Sequence, residues 1–195
     1  MNLNKFCDDN WYKLMDEIPY NWNRYQDGIP SVTTILSLII DPKFEWVKRN
    51  HTQAVINAAN RGKETHADAE SFYRWLGKTL HPQILKFHVL HWVEVISTEQ
   101  RYQKDISWTI DLVWVIDGIT YNIDYKNTMH QSLKYKLQLW WYRYLNDNRW
   151  ALLYLSDKKY ILDTSITDMH LDLFLELKDL FFHKFKQWMF QMPKN

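Results

Sequence analysis

A two-residue turn between two strand-like segments constrains the fold of this chain more strongly than any other local feature. The sequence WVIDGITY places Asp117-Gly118 between two runs of β-branched and aromatic residues. This pattern is typical of a type I′ hairpin, whose two central residues both need a positive φ. The turn also sets the register of the strands. If Ile116 faces Ile119, then Asp111 lies directly opposite Asp124.

These two opposed carboxylates lie in an apolar setting. The first strand of the hairpin is apolar on both faces, with Ile110, Leu112 and Trp114 on one of them, as in a covered central strand. Opposed side chains have Cβ atoms roughly 4.5–5.5 Å apart, so two buried carboxylates must share a proton or a cation. Lys126 follows Asp124 by two residues and therefore lies on the same face. We expect two acids and one lysine to converge; the alternative is an edge hairpin in which Asp124 and Lys126 form a solvated ion pair.

Hydrophobic periodicity outside the hairpin predicts an α/β (α+β) protein in which helices flank a small mixed β-sheet. Ser31 is a candidate N-cap for the first predicted helix, and Pro42 is expected to end that helix. The predicted helices cover 32–40, 51–76, a stretch after Pro82, 129–146 and 166–190, and the predicted strands cover 92–103, 108–116, 119–126, 150–155 and 159–163.

The length of the chain, 195 residues, fits a single domain with a sizeable core. The sequence contains no internal repeat, and with Gly 4 and Pro 5 it has too few flexible residues for a long linker. We therefore expect one domain over 1–195. Its expected parts are an N-terminal extension (1–30), a helical part (31–91), a sheet core (92–163) and a C-terminal helix (164–195).

Composition excludes several classes of protein. Lys and Arg total 24 and Asp and Glu total 23, which excludes a polybasic protein but leaves room for a local basic groove. The single cysteine, Cys7, excludes intramolecular disulfides and any site built from cysteines alone. Neither a secretory signal nor an apolar run of ~20 residues is visible. These features predict a cytoplasmic protein without a membrane partner.

The hairpin and its acidic residues resemble a known family. Asp111 on a strand, a short turn and then Asp124-Tyr125-Lys126 resemble the core of the PD-(D/E)XK nuclease superfamily. The helical sequence RGKETHADAE (61–70) resembles the Gly-x-x-x-His element of the RecB-like exonuclease branch of that superfamily, with Gly62 and His66 one turn apart.

Further motifs follow the order that this branch has. Glu99 stands upstream of the first aspartate, where the branch often carries an acidic residue. The sequence KLQLWWYRYL, with Gln138 and Tyr142, resembles its Gln-x-x-x-Tyr helix. The opening IPSVTTIL is similar to phage and mitochondrial genome-maintenance exonucleases. The resemblance spans residues 29–145.

The resemblance implies a restriction-endonuclease-like core and a metal-dependent DNA exonuclease. It implies one or two bound Mg²⁺ or Mn²⁺ ions and no iron–sulfur cluster. Carboxylate oxygens are hard ligands that suit both ions, and an imidazole ligand favours Mn²⁺. Lys126 would hold or activate the attacking water, and Gln138 and Tyr142 would brace Lys126 or a phosphate. Glu94 is a rival to Glu99 for a place in the site. The implied metal ligands are His66, Glu99, Asp111, Asp124 and the backbone carbonyl of Tyr125.

The chain departs from the family at the mouth of the site. No proline precedes Asp111, and Trp108 stands where the family often has a glycine, so its ring either reshapes the mouth or stacks on a base. Two basic clusters are candidates to follow a phosphate backbone. The residues expected to bind nucleic acid are Arg61, Lys63, Trp108, Lys134 and Arg143.

The implied partner is linear DNA with a free end, in phage-type recombination, replication or end processing. A single-strand annealing or binding protein is a second implied partner, and the location would be the host cytoplasm for a phage protein. A CRISPR-adaptation-like nuclease is an alternative, although such proteins usually carry cluster-forming cysteines. The sequence is also compatible with a restriction-type endonuclease, or with a non-catalytic DNA-binding or interaction module on the same fold.

Overall fold

A five-stranded mixed β-sheet forms the centre of the protein in the computed structural model. The structure describes residues 2–16, 25–26, 29–75, 77–79, 81–116, 118–143, 148–165 and 169–191, without the side chains of 25–26, 142–143, 169 and 187–191. The order of strands in the sheet is β5-β6-β7-β8-β9. These strands are β5 (Glu94–Gln103), β6 (Ser107–Ile116), β7 (Ile119–Lys126), β8 (Arg149–Leu155) and β9 (Tyr160–Asp163).

The predicted hairpin and its register are confirmed. Strands β6 and β7 pair antiparallel from Ile116 with Ile119 to Leu112 with Ile123. Gly118 has a φ of 74°, as the turn requires, while Asp117 lies outside the described residues. The pairing ends at Leu112 and Ile123, one residue before the two aspartates that the same register would place opposite each other.

The second half of the sheet contains the parallel pair. Strand β7 runs parallel to β8, with Asp124 beside Leu152 and Lys126 beside Tyr154, and β8 pairs antiparallel with β9. A parallel pair needs a crossover, and the helix between the two strands supplies it. Strand β8 is buried from Trp150 to Leu155, as expected of a strand that is covered on both faces.

Two small sheets and seven helices complete the part of the chain that the structure describes. The small sheets pair β1 (Lys13–Leu14) with β4 (Ile39–Ile40) and β2 (Tyr25–Gln26) with β3 (Ile29–Pro30). The helices are α1 (Leu3–Asp9), α2 (Val32–Leu36), α3 (Pro42–Asn50), α4 (Thr52–Trp75), α5 (Pro82–His91), α6 (Leu133–Arg143) and α7 (Met169–Gln191).

The prediction of one helix over 32–40 that Pro42 ends is wrong in its second half. Ser31 caps α2 as expected, because its hydroxyl oxygen accepts the backbone N–H of Thr34. However, the helix ends at Leu36, and Pro42 begins α3. Proline is tolerated in the first turn of a helix, whose N–H groups have no intrahelical partner, and Asp41 caps that turn.

Helices cover both faces of the sheet and form two cores. Helices α1, α2, α6 and α7 pack on one face, and α4 and α5 pack on the other. Ile110 belongs to the first core, whereas Leu112 and Trp114 belong to the second. The prediction that these three residues share one face is therefore wrong. The alternation of β6 is broken at Asp111, so the neighbours of Asp111 pack on opposite sides of the sheet.

The N-terminal residues join the first of these cores. Leu3 and Phe6 on α1 are buried, and the backbone N–H of Leu3 donates to Glu176 of α7.

Among the helices in the described ranges, none is both long enough and apolar enough to cross a bilayer.

Candidate active site

Asp111 lies in the middle of β6 and is almost completely buried. Its Oδ2 atom accepts a hydrogen bond of 2.7 Å from the backbone N–H of Tyr125 on the neighbouring strand. The same oxygen lies 3.3 Å from Nδ1 of His66 on α4. A carboxylate that the sequence places in an apolar strand is thus held by a backbone amide on one side and by an imidazole on the other.

His66 bridges two groups of the sheet. While Nδ1 contacts Asp111, Nε2 lies 3.2 Å from the carbonyl oxygen of Tyr125. Both partners are acceptors, so both ring nitrogens must carry protons for the two contacts to be hydrogen bonds. Burial lowers the pKa of His66, but the hydrogen bond and charge of Asp111 and the charge of Asp124 outweigh it and raise the pKa to about 9. In this geometry His66 is therefore an imidazolium at neutral pH.

Glu99 lies on β5, the other strand that pairs with β6, and approaches Asp111 and His66 from that side. Its flanking residues pair with those that flank Asp111, so Glu99 lies opposite that aspartate. Burial and the charge of Asp111 raise the pKa of Glu99 to about 7, against the opposing effect of His66. Ligand atoms of His66, Glu99 and Asp111 all lie within 4.8 Å of one another. Glu94 is exposed and lines a different cavity, so the structure brings Glu99 and not its rival into the site.

The backbone of Glu99 has an unusual conformation. Its φ of 47° lies in the left-handed region, which costs a residue with a side chain roughly 1–2 kcal/mol. Such strain persists where the surrounding structure holds it in place, and it concentrates at functional sites. Here it coincides with the break in the alternation of β6 at Asp111.

A second cluster is centred on Asp124. The Nζ atom of Lys126 lies 2.5 Å from Oδ2 of Asp124 and donates to Oε1 of Gln138 at 3.0 Å. Nε2 of Gln138 donates in turn to Oδ1 of Asp124 at 3.1 Å. Burial and the charge of Asp111 raise the pKa of Asp124, although Lys126 opposes them. Burial lowers the pKa of Lys126, but the charge of Asp124 outweighs this effect and raises the pKa. The predicted lysine is thus fixed as a cation in a buried network.

Tyr135 and Arg101 contribute to the site, although the sequence did not single them out. The Nζ atom of Lys126 lies 4.7 Å from the centroid of the Tyr135 ring, a cation–π distance. Tyr135 precedes Gln138 by one helical turn, and this spacing on a predicted helix could have identified it. Arg101 is an exposed cation that lines the cavity of the site. It follows Glu99 by two residues, so the strand period could have identified it as well.

A cavity of about 600 Å³ opens onto both clusters. Trp108 lines it but is only 9% exposed. Its ring stacks on Tyr102 with the ring centroids 5.1 Å apart, and the ring of Trp141 lies nearly perpendicular to it at a centroid distance of 6.3 Å. Further lining residues are Ser31, Thr33, His66, Asp111, Asp124, Lys126 and Gln138.

The donor set of the first cluster fits a divalent cation. Two carboxylates and one imidazole offer hard oxygen ligands and a single nitrogen, without a thiolate, which suits Mg²⁺ or Mn²⁺; the imidazole favours Mn²⁺. The carbonyl of Tyr125 lies beside the same imidazole, so it is positioned to contribute. Asp124 lies outside the trio of His66, Glu99 and Asp111 that can share one ion, and its two oxygens contact Lys126 and Gln138.

The remaining predicted residues occupy several places. Arg61 and Lys63 are exposed on α4, and Lys134 lines a second cavity. The backbone of Tyr142 and Arg143 belongs to α6, but their side chains lie outside the described residues. Their expected roles stay predictions.

The chain was compared with protein-family models, with curated proteins and with solved structures. No protein-family model matches the chain, and no curated protein is significantly similar to it in sequence. Among solved structures the chain is similar to one described as the crystal structure of SSO0001, with 15% identity and a TM-score of 0.42 over 91% of this chain and 84% of that structure's chain.

Proposed function

We propose that the protein is a metal-dependent DNA exonuclease of the RecB-like PD-(D/E)XK type. The observation that carries this proposal is the meeting of two clusters at one cavity. In the first, His66, Glu99 and Asp111 offer ligands for one cation. In the second, Asp124 and Gln138 hold the ammonium of Lys126. A cation site beside a fixed lysine is what hydrolysis of a phosphodiester requires, since charge develops on the phosphate and a water must attack it.

Each residue then has a defined task. A bound Mg²⁺ or Mn²⁺ would polarise the scissile phosphate and lower the pKa of its bound water. Lys126 donates to the attacking water or to a phosphate oxygen and stabilises negative charge in the transition state. Gln138 and Asp124 orient Lys126, and the ring of Tyr135 covers its ammonium. Arg101 at the mouth of the cavity contacts the DNA backbone.

The exonuclease assignment rests on sequence motifs in addition to geometry. The Gly-x-x-x-His helix brings His66 to Asp111, and the Gln-x-x-x-Tyr helix brings Gln138 to Lys126. These are the two motifs that favour the exonuclease branch over restriction-type enzymes.

We further propose that linear DNA with a free end is the substrate, that a single-strand annealing or binding protein is a partner, and that the protein acts in the cytoplasm.

Metal-dependent digestion of end-labelled DNA tests the proposal. Linear and covalently closed circular DNA are incubated with Mg²⁺, Mn²⁺ or a chelator, using the wild type and Lys126→Ala. With Mg²⁺ or Mn²⁺ we expect the wild type to degrade linear DNA at a rate at least about 100-fold above that of Lys126→Ala, because one group that stabilises transition-state charge contributes about that factor.

A matched lysine serves as the control. Lys86 is exposed on α5, a helix whose Phe87 stacks on Trp114 rather than on a residue of the site. Lys86→Ala should keep the wild-type rate. Equal rates for the wild type and Lys126→Ala would exclude catalysis at this site and would favour a non-catalytic DNA-binding module. Degradation of circular DNA would indicate an endonuclease.

A further inference from the structure

A side-chain hydrogen bond joins α4 to the end of β7 directly beside the candidate active site. Nδ2 of Asn127 donates to Oγ1 of Thr65 at 2.9 Å. Asn127 follows Lys126 in the chain, and Thr65 precedes His66. The segment that carries the lysine and the helix that carries the imidazole are therefore tied together one residue away from each of these groups.

Both partners of this hydrogen bond are held in place by their own surroundings. Thr65 is buried, and its hydroxyl donates its proton to the carbonyl oxygen of Arg61 at 2.9 Å, which leaves the oxygen as an acceptor for Asn127. The backbone N–H of Thr128 donates to the carbonyl oxygen of Lys126 at 2.8 Å, and this tight turn fixes the backbone of Asn127 between them. The bond thus joins two ordered segments and belongs to a chain of hydrogen bonds.

The contacts of His66 with the strands, in contrast, depend on its ring protons. The ring contacts Asp111 through Nδ1 and the carbonyl oxygen of Tyr125 through Nε2. A ring nitrogen that binds a cation carries no proton, so His66 gives up at least one of these hydrogen bonds when it acts as a ligand. The bond between Asn127 and Thr65 involves neither ring nitrogen, and it can hold the helix in both states.

We propose that Asn127 is a positioning residue, whose hydrogen bond to Thr65 keeps the imidazole of His66 beside Asp111 and Glu99 and so raises the affinity of this trio for a divalent cation. The proposal rests on the metal-dependent function proposed above. Asn127 acts indirectly, through the position of α4 against the end of β7. Groups that orient a metal ligand in this way change the affinity for the metal by about 10- to 100-fold.

Substitutions at both ends of the hydrogen bond test this proposal. Thr65→Val replaces the hydroxyl by a methyl group of similar size, and Asn127→Ala removes the donor. We expect each variant to bind Mn²⁺ about 10-fold more weakly than the wild type or worse, as measured by calorimetry. The double variant should bind no more weakly than the weaker single variant, since both changes remove the same contact. Thr65→Ser keeps the hydroxyl and should bind Mn²⁺ like the wild type.

The dependence of the cleavage rate on Mn²⁺ separates positioning from a loss of structure. If loss of the hydrogen bond only lowers the fraction of molecules in which His66 is in place, the apparent affinity falls by that fraction. A saturating concentration of Mn²⁺ then restores the rate. We expect Asn127→Ala at saturating Mn²⁺ to cleave linear DNA within about 3-fold of the wild-type rate, whereas a damaged site would stay slow.

Asn148 provides the matched control on the same strand. Its Nδ2 atom donates to Oδ1 of Asn122 on β7 at 3.0 Å, so Asn148→Ala removes a hydrogen bond of the same type. This variant should unfold at a lower temperature but bind Mn²⁺ like the wild type. Wild-type affinity in Thr65→Val and Asn127→Ala would overturn the proposal, and so would a Thr65→Ser variant that binds as weakly as Thr65→Val. Thermal unfolding of each variant confirms that it folds.

The two proposals fail in different ways. A wild type that neither binds Mn²⁺ nor cleaves DNA would refute the nuclease function. The exchange of the His66 ring protons with water, measured by NMR without added metal, would then still test the role of Asn127. We expect this exchange to be roughly 3- to 10-fold faster in Asn127→Ala and Thr65→Val than in the wild type, as loss of one hydrogen bond allows more local opening. Equal exchange rates, or metal-dependent cleavage with unchanged Mn²⁺ affinity in Asn127→Ala, would refute the positioning role alone.

Discussion

Nε2 of His66 lies 3.2 Å from the carbonyl oxygen of Tyr125, one of the groups that the family resemblance assigns to the metal. With Nδ1 at 3.3 Å from Asp111, the imidazolium occupies the space between two expected ligands. It places a positive charge beside the buried carboxylate of Asp111. In the proposed metal site, a cation would therefore have to displace the proton of His66.

This competition predicts proton release on metal binding. At pH 7, His66, with a pKa of about 9, is protonated, and Glu99, with a pKa of about 7, is about half protonated. Binding of Mn²⁺ requires both groups to lose their protons, so we expect the release of about one to two protons per ion. The apparent affinity should rise with pH up to about 9 and level off above it. Calorimetry in two buffers with different ionisation enthalpies measures the number released.

His66→Gln is the variant that isolates the contribution of the imidazole. The affinity of this variant for Mn²⁺ should be lower than that of the wild type. On binding Mn²⁺ at pH 7, the variant should release about one proton fewer than the wild type. Identical proton release in the wild type and His66→Gln would show that this imidazole is not a ligand.

Gln138 is expected to act as a positioning residue. Replacing it by Leu leaves Oδ1 of Asp124 without its donor and Nζ of Lys126 without one acceptor. We expect kcat to fall by about 10- to 100-fold, as for other residues that orient functional groups, with little change in KM. The free energy of unfolding should fall by about 1–3 kcal/mol because a buried polar group loses its partner.

Gln83 is the matched control for this substitution. It is also buried, and its side chain donates to the backbone carbonyl of Asp157, which is remote in sequence from every residue of the site. Gln83→Leu should lower stability but leave kcat unchanged. A fall in kcat of the same size in both variants would mean that Gln138 acts only through general stability.

Two substitutions of Glu99 separate its carboxylate from its backbone strain. Glu99→Gln removes a metal ligand but keeps a side chain at a φ of 47°, whereas Glu99→Gly removes the ligand and relieves the left-handed conformation. Both should weaken Mn²⁺ binding by at least about 10-fold. In the presence of a chelator, the free energy of unfolding of Glu99→Gly should be about 1 kcal/mol higher than that of Glu99→Gln. Equal stability of the two variants would exclude stored strain at this position.

Local chemistry explains what the sequence could predict. The Asp117-Gly118 turn and the two-residue period set the register of the hairpin from Ile116 with Ile119 to Leu112 with Ile123. Gln138 belongs to the sequence that resembles the Gln-x-x-x-Tyr helix of the family, and the structure joins its side chain to that of Lys126 at 3.0 Å. These features depend on neighbours that are close in the chain, so the sequence was enough to find them.

Features that depend on distant packing were not predictable. Glutamate is rare in the left-handed region, so nothing local indicated that Glu99 would adopt it and break the alternation of the sheet. Pro42 can end one helix or begin the next, and only the pairing of Ile39–Ile40 with a strand before it decided the outcome.

Under the proposed nuclease function, a substitution of Gly62 tests whether DNA approaches the backbone of α4. Gly62 lies one turn before His66, and a Cβ atom built on it would meet no atom within 4 Å, so packing does not require glycine there. Gly62→Ala should therefore stabilise the protein by about 0.5–1 kcal/mol, measured by urea denaturation. If a phosphate passes close to this turn, where Arg61 and Lys63 are exposed, the same variant should show a higher KM for DNA with unchanged Mn²⁺ affinity. Ala58, one further turn back along the helix, provides the control, because Ala58→Ser should leave KM unchanged. A Gly62→Ala variant with wild-type KM would place the DNA away from this face of the helix.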